Sequence, residues 1–464
     1  MSSFSIPPSV NLEHGPLRVS DNRRFLVHRD GTPFFYLGDT VWELFHRLGR
    51  AEVDRYLANR AAKRFTVCQA VILSEMDGLT APNANGDLPL HDLDPARPNE
   101  AYFQHVDYVV DRAAEAGIFM GLLPTWGSWV VDEEHPLFEE HRIFDAPKAE
   151  TYGRFLGDRY GDRRNVIWIL GGDRVPEGYE DVWRALARGI AVGTSGREDY
   201  GRTLMTFHPR GGHSSGEHFQ AEPWLSFGMV QSGHSRHSKP HQMIAREYCR
   251  EPIKPVINGE PAYERIPEGL ERGAEKLDEH DVRRFAYWSV FAGACGHTYG
   301  ANEMWMMWSP EIEPTNPVVS PLLDADTPWW EAMDYPGAGQ MQHLRALMES
   351  RPARMRIPDQ GLLASEPGEG LTHVRATRCG EGSYAMVYVP ASSSGTDVHV
   401  GRLEGDELVA WWFDPRTGEA ERVRQKVPAR GISHFVTPEA SHGWVLVLDD
   451  ASRGFPPPGS QEAV

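Results

Sequence analysis

The stretch Val166-Ile167-Trp168-Ile169-Leu170-Gly171-Gly172-Asp173 has the pattern of a buried β-strand that ends in a tight turn and an acidic side chain. The continuous apolar run favours a strand buried on both faces, and the glycines allow the backbone to turn sharply. Further short apolar runs, bounded by Gly, Pro or polar clusters, recur up to about residue 300. Together they give eight predicted strands, at residues 34–37, 67–73, 118–123, 166–170, 203–207, 227–230, 255–257 and 292–295.

Helical periodicity fills several of the gaps between these runs, at residues 52–62, 102–116 and 281–290. Strands that alternate with helices are typical of a parallel sheet covered by helices. Eight such units predict an α/β fold, a (β/α)8 TIM barrel. Residues 24–35 add a predicted β-hairpin around Asp30-Gly31, and one further helix is expected at residues 329–349.

The pattern changes near Arg351-Pro352, where short alternating strands separated by Gly, Ser and Pro turns replace the strand–helix units. These strands are predicted at residues 373–377, 384–389, 398–400, 408–413 and 444–448. We therefore expect two domains, a catalytic barrel with its hairpin at residues 1–350 and a small antiparallel β-sandwich at residues 351–464. The Pro-rich stretch at residues 456–459 is predicted to be a disordered tail.

The composition disfavours several classes of function. The 464 residues include 47 Lys and Arg against 66 Asp and Glu, a net charge of −19, which disfavours binding to nucleic acid or to an anionic membrane surface. No apolar stretch approaches the roughly 18 residues of a membrane span, and the N-terminus lacks the features of a signal peptide, so a cytoplasmic location is expected. The 4 cysteines are widely separated and indicate neither a disulfide framework nor a zinc knot.

Two carboxylates follow predicted strands at the end where a barrel carries its active site. Asp173 follows the fourth strand and Glu260 follows the seventh. The C-terminal ends of all eight strands meet at one face. Glycoside hydrolysis needs one carboxylic acid to protonate the leaving oxygen and a second carboxylate to attack, or to activate water. The pair is therefore predicted to be catalytic, the alternative being that Asp173 pairs with Arg174 or that either acid caps a helix.

Other side chains at the same face are candidates for binding substrate. Asp39 could bind a sugar hydroxyl or cap the next helix. Tryptophans can cover the apolar face of a sugar, although single aromatic residues more often belong to the core. Strand-end polar residues are expected to contact substrate or to support the carboxylates. The tryptophan candidates are Trp42, Trp126, Trp305 and Trp308, and the polar ones are His208, Gln231, His234, His297 and Tyr299.

A metal site is the weaker interpretation of the histidine-rich segment. His234, His237 and His241 could share one helical face. A zinc site would also need a local carboxylate or cysteine, and the segment has none at the usual ligand spacing. We therefore expect neither a metal ion nor a cofactor.

Several separated motifs resemble the apiosidase-like glycoside hydrolases, and the resemblance spans nearly the whole chain. In the C-terminal region, Ala410-Trp411-Trp412-Phe413-Asp414-Pro415-Arg416-Thr417-Gly418 resembles the β-sandwich that accompanies that barrel and is often named for collagen binding. A sandwich packed on a barrel is more often a structural support. The barrel motifs are Gly38-Asp39-Thr40-Val41-Trp42, Gly171-Gly172-Asp173, the segments 208–215 and 224–234, Asn258-Gly259-Glu260-Pro261-Ala262-Tyr263-Glu264, and the segment 287–300.

The resemblance implies a retaining hydrolase that removes the branched furanose apiose from pectin side chains. It places the acid/base on Asp173 and the nucleophile on Glu260. The chain departs from the family pattern in having Ala301 before Asn302 after the last strand, where a histidine is common, so a contact to the sugar can differ.

The leading hypothesis is a retaining exo-glycosidase acting on a pentofuranoside, first of all a β-apioside, with a carbohydrate substrate as its only predicted partner. Without an export signal, that substrate is expected to be a small oligosaccharide or plant glycoside taken into the cell. The alternatives are the same chemistry on another glycoside, such as an arabinofuranoside or a bacterial glycan, and a non-catalytic carbohydrate- or collagen-binding protein. A metal-dependent hydrolase ranks third. The oligomeric state stays open.

Overall fold

The computed structural model of the chain describes residues 7–132, 142–311, 323–391, 395–439 and 442–460. A three-stranded antiparallel sheet opens the chain, with β1 at Leu17–Val19, β2 at Leu26–His28 and β3 at Pro33–Phe34. The turn between β2 and β3 contains Asp30, whose Oδ1 accepts a hydrogen bond of 2.9 Å from the Thr32 N–H, and Gly31 at φ +93°. Among the described helices, none is both long and apolar enough to cross a bilayer.

Eight parallel strands follow and form one sheet in the order β8-β7-β6-β5-β4-β11-β10-β9. The two end strands of this order lie side by side, where the Ser226 N–H donates to Met205 O (2.8 Å) and the Thr206 hydroxyl donates to Phe227 O (2.7 Å). The sheet thereby closes into a barrel, and the predicted TIM barrel is confirmed. Its strands are β4 Tyr36–Thr40, β5 Val67–Leu73, β6 Phe119–Thr125, β7 Val166–Gly171, β8 Met205–His208, β9 Gly228–Gln231, β10 Val256–Glu260 and β11 Gly296–Tyr299.

Helices cover the outside of the barrel. Their starts follow local sequence: Asn99 and Asp278 cap two of them through side-chain oxygens that accept backbone N–H bonds, and Pro147 and Pro240 lie in first turns. The described helices are α1 Leu44–Arg47, α2 Arg50–Ala62, α3 Glu100–Glu115, α4 Ala146–Tyr160, α5 Glu180–Ser195, α6 Gly216–Phe219, α7 Pro240–Tyr248, α8 Glu279–Phe291, α9 Asn302–Trp305, α10 Trp329–Ala332 and α11 Pro336–Glu349.

Two sequence-based boundaries are wrong. The run at residues 292–295, predicted as the eighth strand, is the turn after α8, with Gly293 at φ +116°, and the strand is β11 just beyond it. The helix predicted at residues 329–349 is two helices, because Pro336 holds Tyr335 in an extended conformation (ψ 147°) and starts α11.

The interior of the barrel contains a small cluster of polar side chains. The amide of Gln69 receives a bond from the Tyr36 hydroxyl (2.8 Å) and donates one to Gly259 O (2.9 Å), while the Thr298 hydroxyl contacts it at 3.3 Å. These bonds show that Tyr36 of β4, Gln69 of β5 and Thr298 of β11 face inward. Because successive side chains alternate, their strand neighbours face the helices.

The C-terminal region is an antiparallel β-sandwich, as predicted. A six-stranded sheet, in the order β12-β13-β14-β19-β16-β17, packs against the two-stranded sheet β15-β18. The stretch predicted as a disordered tail instead packs on this domain: Pro458 is buried, and Phe455 lies 4.9 Å from the Arg351 guanidinium. The strands are β12 Arg356–Pro358, β13 Arg375–Cys379, β14 Tyr384–Val389, β15 Thr396–His399, β16 Leu408–Phe413, β17 Ala420–Arg422, β18 Ile432–Phe435 and β19 Trp444–Asp450.

Candidate active site

Glu260 is the last residue of β10, and a β-bulge sets its direction. The side chain of Asn258 faces α8, where its amide donates to the Ser289 hydroxyl at 3.1 Å. Regular alternation would point Glu260 the same way. The register shifts between Asn258 and Glu260, so that Gly259 is an extra residue opposite β9 and Glu260 turns to the mouth of the barrel.

Three side chains converge on the Glu260 carboxylate. The Tyr263 hydroxyl donates to Oε1 at 2.7 Å, and Nε2 of His234 lies 3.2 Å from the same oxygen. Nε2 of His208 lies 2.7 Å from Oε2. All of these groups can act as donors to an ionised carboxylate, so Glu260 sits in a polar cage although it is only 5% exposed.

Asp173 follows the fourth barrel strand on a turn that requires left-handed backbone. Gly171 and Gly172 have φ of +92° and +131°, and Asp173 itself has φ +53°. A Cβ on Gly172 would lie 2.6 Å from the Gly127 nitrogen, so only glycine fits there. The turn raises Asp173 above the strand end, where its side chain is 40% exposed and open to a ligand.

The ring of His208 connects the two carboxylates. Its Nδ1 accepts a long hydrogen bond (3.4 Å) from the Asp173 backbone N–H, while its Nε2 faces Glu260. Because Nδ1 is an acceptor, the neutral ring carries its proton on Nε2, which lies 2.7 Å from Oε2 of Glu260 but without the alignment of a hydrogen bond. The Asp173 carboxylate also accepts a bond of 3.3 Å from the Gly211 N–H, and the Arg174 guanidinium lies 4.0 Å away.

The surroundings shift the two carboxyl groups in opposite directions. Partial shielding from water by the surrounding residues raises the pKa of Asp173 even though 40% of its side chain is exposed, and the nearby Glu260 charge raises it further. Burial would also raise the pKa of Glu260, but its contacts with His208 and His234 outweigh burial and hold that pKa well below the usual range. This arrangement favours an ionised Glu260 beside an Asp173 carboxyl group that is a weaker acid than usual.

Two of the tryptophans named from the sequence lie at this cluster. Trp42 packs edge-on against His208 with ring centroids 5.3 Å apart, and Trp126 lies 5.8 Å from the same ring. The Trp126 Nε1 is buried and has no hydrogen-bond partner among the described residues. Trp305 and Trp308 are 8% and 7% exposed, and neither ring is among those that pack on His208 in the described part of the chain.

Gln231 is also near the cluster. It pairs with Glu260 in the β9–β10 ladder, and its amide faces Gly211 in the loop after β8. Its Oε1 is buried without a partner among the described residues, which leaves an acceptor at the edge of the site.

Three other sequence candidates face away from the cluster. The buried Asp39 carboxylate accepts bonds of 2.6 Å from Tyr56 and Arg60 of α2, so its predicted contact with substrate is not supported. The Tyr299 hydroxyl donates to Glu264 at 2.6 Å. His297 and Tyr299 flank the inward-facing Thr298, so both point toward the helices, and burial lowers the pKa of His297 to about 3.

The histidines weighed as metal ligands are separated. His234 contacts Glu260, whereas His241 packs on His373 and Trp288. In the described part of the chain, the side chains of His213, Glu217 and His218 do come within 4.8 Å of one another. Both oxygens of Glu217 are already engaged, one by His213 at 2.8 Å and one by Arg246 at 2.7 Å, which disfavours a metal there.

Tyr263 has no predicted role, although it belongs to the motif that carries Glu260. It lies three residues after the carboxylate and returns to it through its hydroxyl. A tyrosine just beyond a strand-end acid is a signal that could have identified it. The contact from the Gly211 N–H was also not predicted, because a backbone donor does not depend on the type of residue.

Two family models match the chain. Residues 20–354 match the family model described as "Apiosidase-like, catalytic domain". The chain belongs to the apiosidase-like family. Residues 357–449 match a second model, "Putative collagen-binding domain of a collagenase". A search of curated proteins found no significant match.

Two solved structures are similar over nearly the whole chain. One, described as a glycoside hydrolase, is 32% identical with a TM-score of 0.85, and the alignment covers 96% of this chain and 99% of that one. The other, a glycoside hydrolase family 5 protein from Bacteroides vulgatus, is 31% identical with a TM-score of 0.86, covering 98% and 97%. As a member of the apiosidase-like family, the chain is a glycoside hydrolase with a carbohydrate substrate.

Proposed function

We propose that this glycoside hydrolase is a retaining, exo-acting enzyme that releases a pentofuranosyl unit, first of all a β-linked apiose. Glu260 is the nucleophile and Asp173 the acid/base. The observation that supports these roles is geometric: Tyr263 and His234 contact the buried Glu260 carboxylate and His208 lies beside it, whereas Asp173 stands on a more exposed turn at the same cluster. In keeping with these surroundings, the pKa of Glu260 is lowered and that of Asp173 is raised.

In the first step, Glu260 attacks the anomeric carbon while Asp173 donates its proton to the departing glycosidic oxygen. The carbon–oxygen bond to the leaving group breaks and a glycosyl ester forms on Glu260. The charge of Glu260 disappears, and with it one cause of the raised pKa of Asp173. The ionised Asp173 then takes a proton from water, which attacks the same carbon and releases the sugar.

The residues around the carboxylates support this sequence. His234 and Tyr263 contact Oε1 of Glu260 and His208 approaches Oε2, so the carboxylate is both oriented and kept ionised. Such preorganised donors stabilise charge without rearranging during the reaction. Trp42 and Trp126 form a wall beside His208, and the unpartnered Trp126 N–H can donate to a sugar hydroxyl.

The choice of sugar rests on the family and not on the geometry. The apiosidase-like match covers the whole barrel, and this favours a branched pentofuranose over a hexopyranose. Exo action is proposed on the same basis.

A panel of aryl glycosides tests the proposal. Wild type should hydrolyse a β-apioside faster than an α-arabinofuranoside or a β-glucoside, and Glu260→Gln should lose at least about a thousandfold in kcat. Glu271→Gln, at an exposed residue, is the matched control. The anomer released first, followed by NMR, should have the configuration of the substrate.

An inverted first product would refute the two-step mechanism. Near wild-type turnover by Glu260→Gln would refute the assignment of the nucleophile. A preference for another sugar would replace apiose as the substrate.

A further inference from the structure

The bulge in β10 leaves one peptide group outside the regular pairing of the sheet. The register with β9 passes from Asn258 directly to Glu260, and the pairing with β11 ends at Asn258. Among the described strand pairs, Gly259 therefore has no partner, and the ladder assigns no donor to its carbonyl oxygen. Gly259 is buried, and a buried carbonyl group without a donor is unfavourable.

Gln69 supplies a donor to this carbonyl group from across the barrel. Its side-chain Nε2 donates to Gly259 O at 2.9 Å. Gln69 belongs to β5, and two strands, β4 and β11, separate β5 from β10 in the sheet, so the bond crosses the interior of the barrel. The Gln69 side chain is 0% exposed, so bulk water does not compete for this bond.

The two intervening strands orient the amide of Gln69. The Tyr36 hydroxyl of β4 donates to its Oε1 at 2.8 Å, and the Thr298 hydroxyl of β11 donates to the same oxygen at 3.3 Å. Because a carbonyl oxygen only accepts, Gly259 O holds the amide nitrogen on its own side. Gly38 of β4 leaves room for this arrangement, since a Cβ there would lie 2.7 Å from the Thr298 hydroxyl oxygen.

The bond reaches the candidate nucleophile through the backbone. Gly259 immediately precedes Glu260, whose Oε1 is contacted by Tyr263 and His234. If the bulge relaxed into a regular ladder, strand alternation would turn Glu260 toward α8 and away from both contacts. The alternative is a glutamine that serves only the stability of the barrel interior, and such a role would not depend on the direction of Glu260.

We propose that Gln69 is a positioning residue of this hydrolase: its amide holds the β10 bulge and thereby directs Glu260 into the mouth of the barrel. The proposal rests on the proposed role of Glu260 as nucleophile. None of the described hydrogen bonds of the Gln69 side chain goes to the Glu260 carboxylate, so the effect passes through the Gly259 peptide group. Loss of this bond should therefore lower kcat and leave KM nearly unchanged.

Gln69→Met tests the proposal, because methionine has a similar length and no donor. On the aryl glycoside that the wild type hydrolyses fastest, kcat should fall about 10 to 100-fold. The acid limb of kcat/KM should move to higher pH: burial would raise the pKa of Glu260, and its contacts with His208 and His234 hold that pKa low only while the carboxylate faces them. A crystal structure of the variant should show Glu260 turned away from Tyr263.

Two further variants separate the donor from the shape of the side chain. Gln69→Glu retains a donor while its buried carboxyl group is neutral, because the acid O–H can take the place of the amide N–H toward Gly259 O. At pH 6 it should keep kcat within about threefold of wild type and the wild-type acid limb. Gln69→Asn keeps an amide but is one methylene too short for Gly259 O. It should show the same loss as Gln69→Met and carries the test if that variant does not fold.

Asn165→Leu is the matched control. The buried Asn165 amide also donates to backbone carbonyl groups, Val110 O at 3.0 Å and Ile118 O at 3.2 Å, but it precedes β7, at the end of the barrel opposite the mouth. Its loss should lower the midpoint of thermal unfolding, as in Gln69→Met, without changing kcat or the acid limb.

The outcomes distinguish this proposal from the proposed function. Wild-type kcat in Gln69→Met and Gln69→Asn, an unmoved acid limb, or an equal loss of kcat in Asn165→Leu would overturn the positioning role. Full turnover by Glu260→Gln would instead refute the proposed nucleophile. The crystal structure of the Gln69 variant would then still decide whether Gln69 holds the bulge, because the Glu260–Tyr263 distance does not depend on the reaction.

Discussion

At the scale of single residues, His208 is the side chain that contacts both Asp173 and Glu260. Its Nδ1 accepts from the Asp173 backbone and its Nε2 faces Glu260, so one ring fixes the relative position of both. The ring is buried against Trp42 and Trp126 and has little room to turn. The proposed division of roles between the two acids therefore depends on a residue that need not touch the substrate.

The role of Asp173 is testable through the leaving group. Asp173→Asn should slow hydrolysis of glycosides with poor leaving groups by about 10² to 10⁴-fold, because these need protonation, and should affect activated aryl glycosides less in the first step. Azide, which needs no base, should restore turnover of the activated substrates. Stopped assays with and without azide measure this, with Asp162→Asn at a fully solvated loop position as the control. Equal losses for all leaving groups would contradict an acid role.

The pH dependence tests the contacts of Glu260. A bell-shaped kcat/KM profile is expected, with its acid limb set by Glu260 and its alkaline limb by Asp173. His234→Leu removes a contact that lowers the pKa of Glu260, so the acid limb should move to higher pH. His234 also lowers the pKa of Asp173, so the alkaline limb should move the same way. His234→Gln retains a donor and should shift the profile less; an acid limb that stays in place or moves down would refute the assignment.

Residue type at strand ends predicted part of this site and strand alternation explains the rest. His208 and His234 were identified because they follow strands, and both contact Glu260. Asp39 met the same criterion, yet alternation turns it to Arg60 on α2. The sequence alone does not show whether the odd-numbered or the even-numbered residues of a strand face inward, since in a barrel both faces of a strand are buried.

At the scale of elements, the bulge in β10 is the feature that directs Glu260 inward. Its Gly259 packs against Met229 of the neighbouring strand, where an added Cβ would come within 2.5 Å of the Met229 side chain. The sequence does not reveal the bulge, because a single glycine within a strand is a weak signal that other features also produce. The strand was predicted to end at residue 257 and instead continues to Glu260, and the reason that this carboxylate faces the mouth was not predicted.

Gly259→Ala tests the bulge. Overpacking against the buried Met229 should lower the free energy of unfolding by about 1–3 kcal/mol and reduce kcat by displacing Glu260. Met229→Ala in the same chain makes room and should recover part of the activity. Gly339→Ala in α11, where nothing lies within 4 Å of the new Cβ, should instead stabilise the protein by about 0.5–1 kcal/mol. Denaturant titrations measure the free energy of unfolding of all three variants. Unchanged activity in Gly259→Ala would contradict the role of the bulge in directing Glu260.

At the scale of the whole molecule, the central strand β14 of the six-stranded sheet is buried on both faces. In β14, Ala385 and Val387 face the two-stranded sheet, while Met386 and Tyr388 join the core of the barrel. The Tyr388 ring stacks on Tyr287 of α8 with centroids 4.9 Å apart. A sheet with two buried faces reads as a continuous apolar run, so the sequence predicted the strand but not its second contact.

This shared core predicts that barrel and sandwich unfold together, because a large apolar interface couples domains. Replacement of Arg356 tests that coupling most directly. Its buried guanidinium donates to the carbonyl oxygens of Val290 and Ala294, at the end of α8 and in the turn leading to β11.

Arg356→Leu would leave these two carbonyl groups buried without a charged donor. The free energy of unfolding should fall by about 2–4 kcal/mol, and differential scanning calorimetry should still show a single transition at lower temperature. Arg354→Leu, two residues earlier and exposed, should change it little. If the wild type instead melts in two steps, or Arg356→Leu is as stable as Arg354→Leu, the sandwich is an appended domain and not part of the folding unit that supports the barrel.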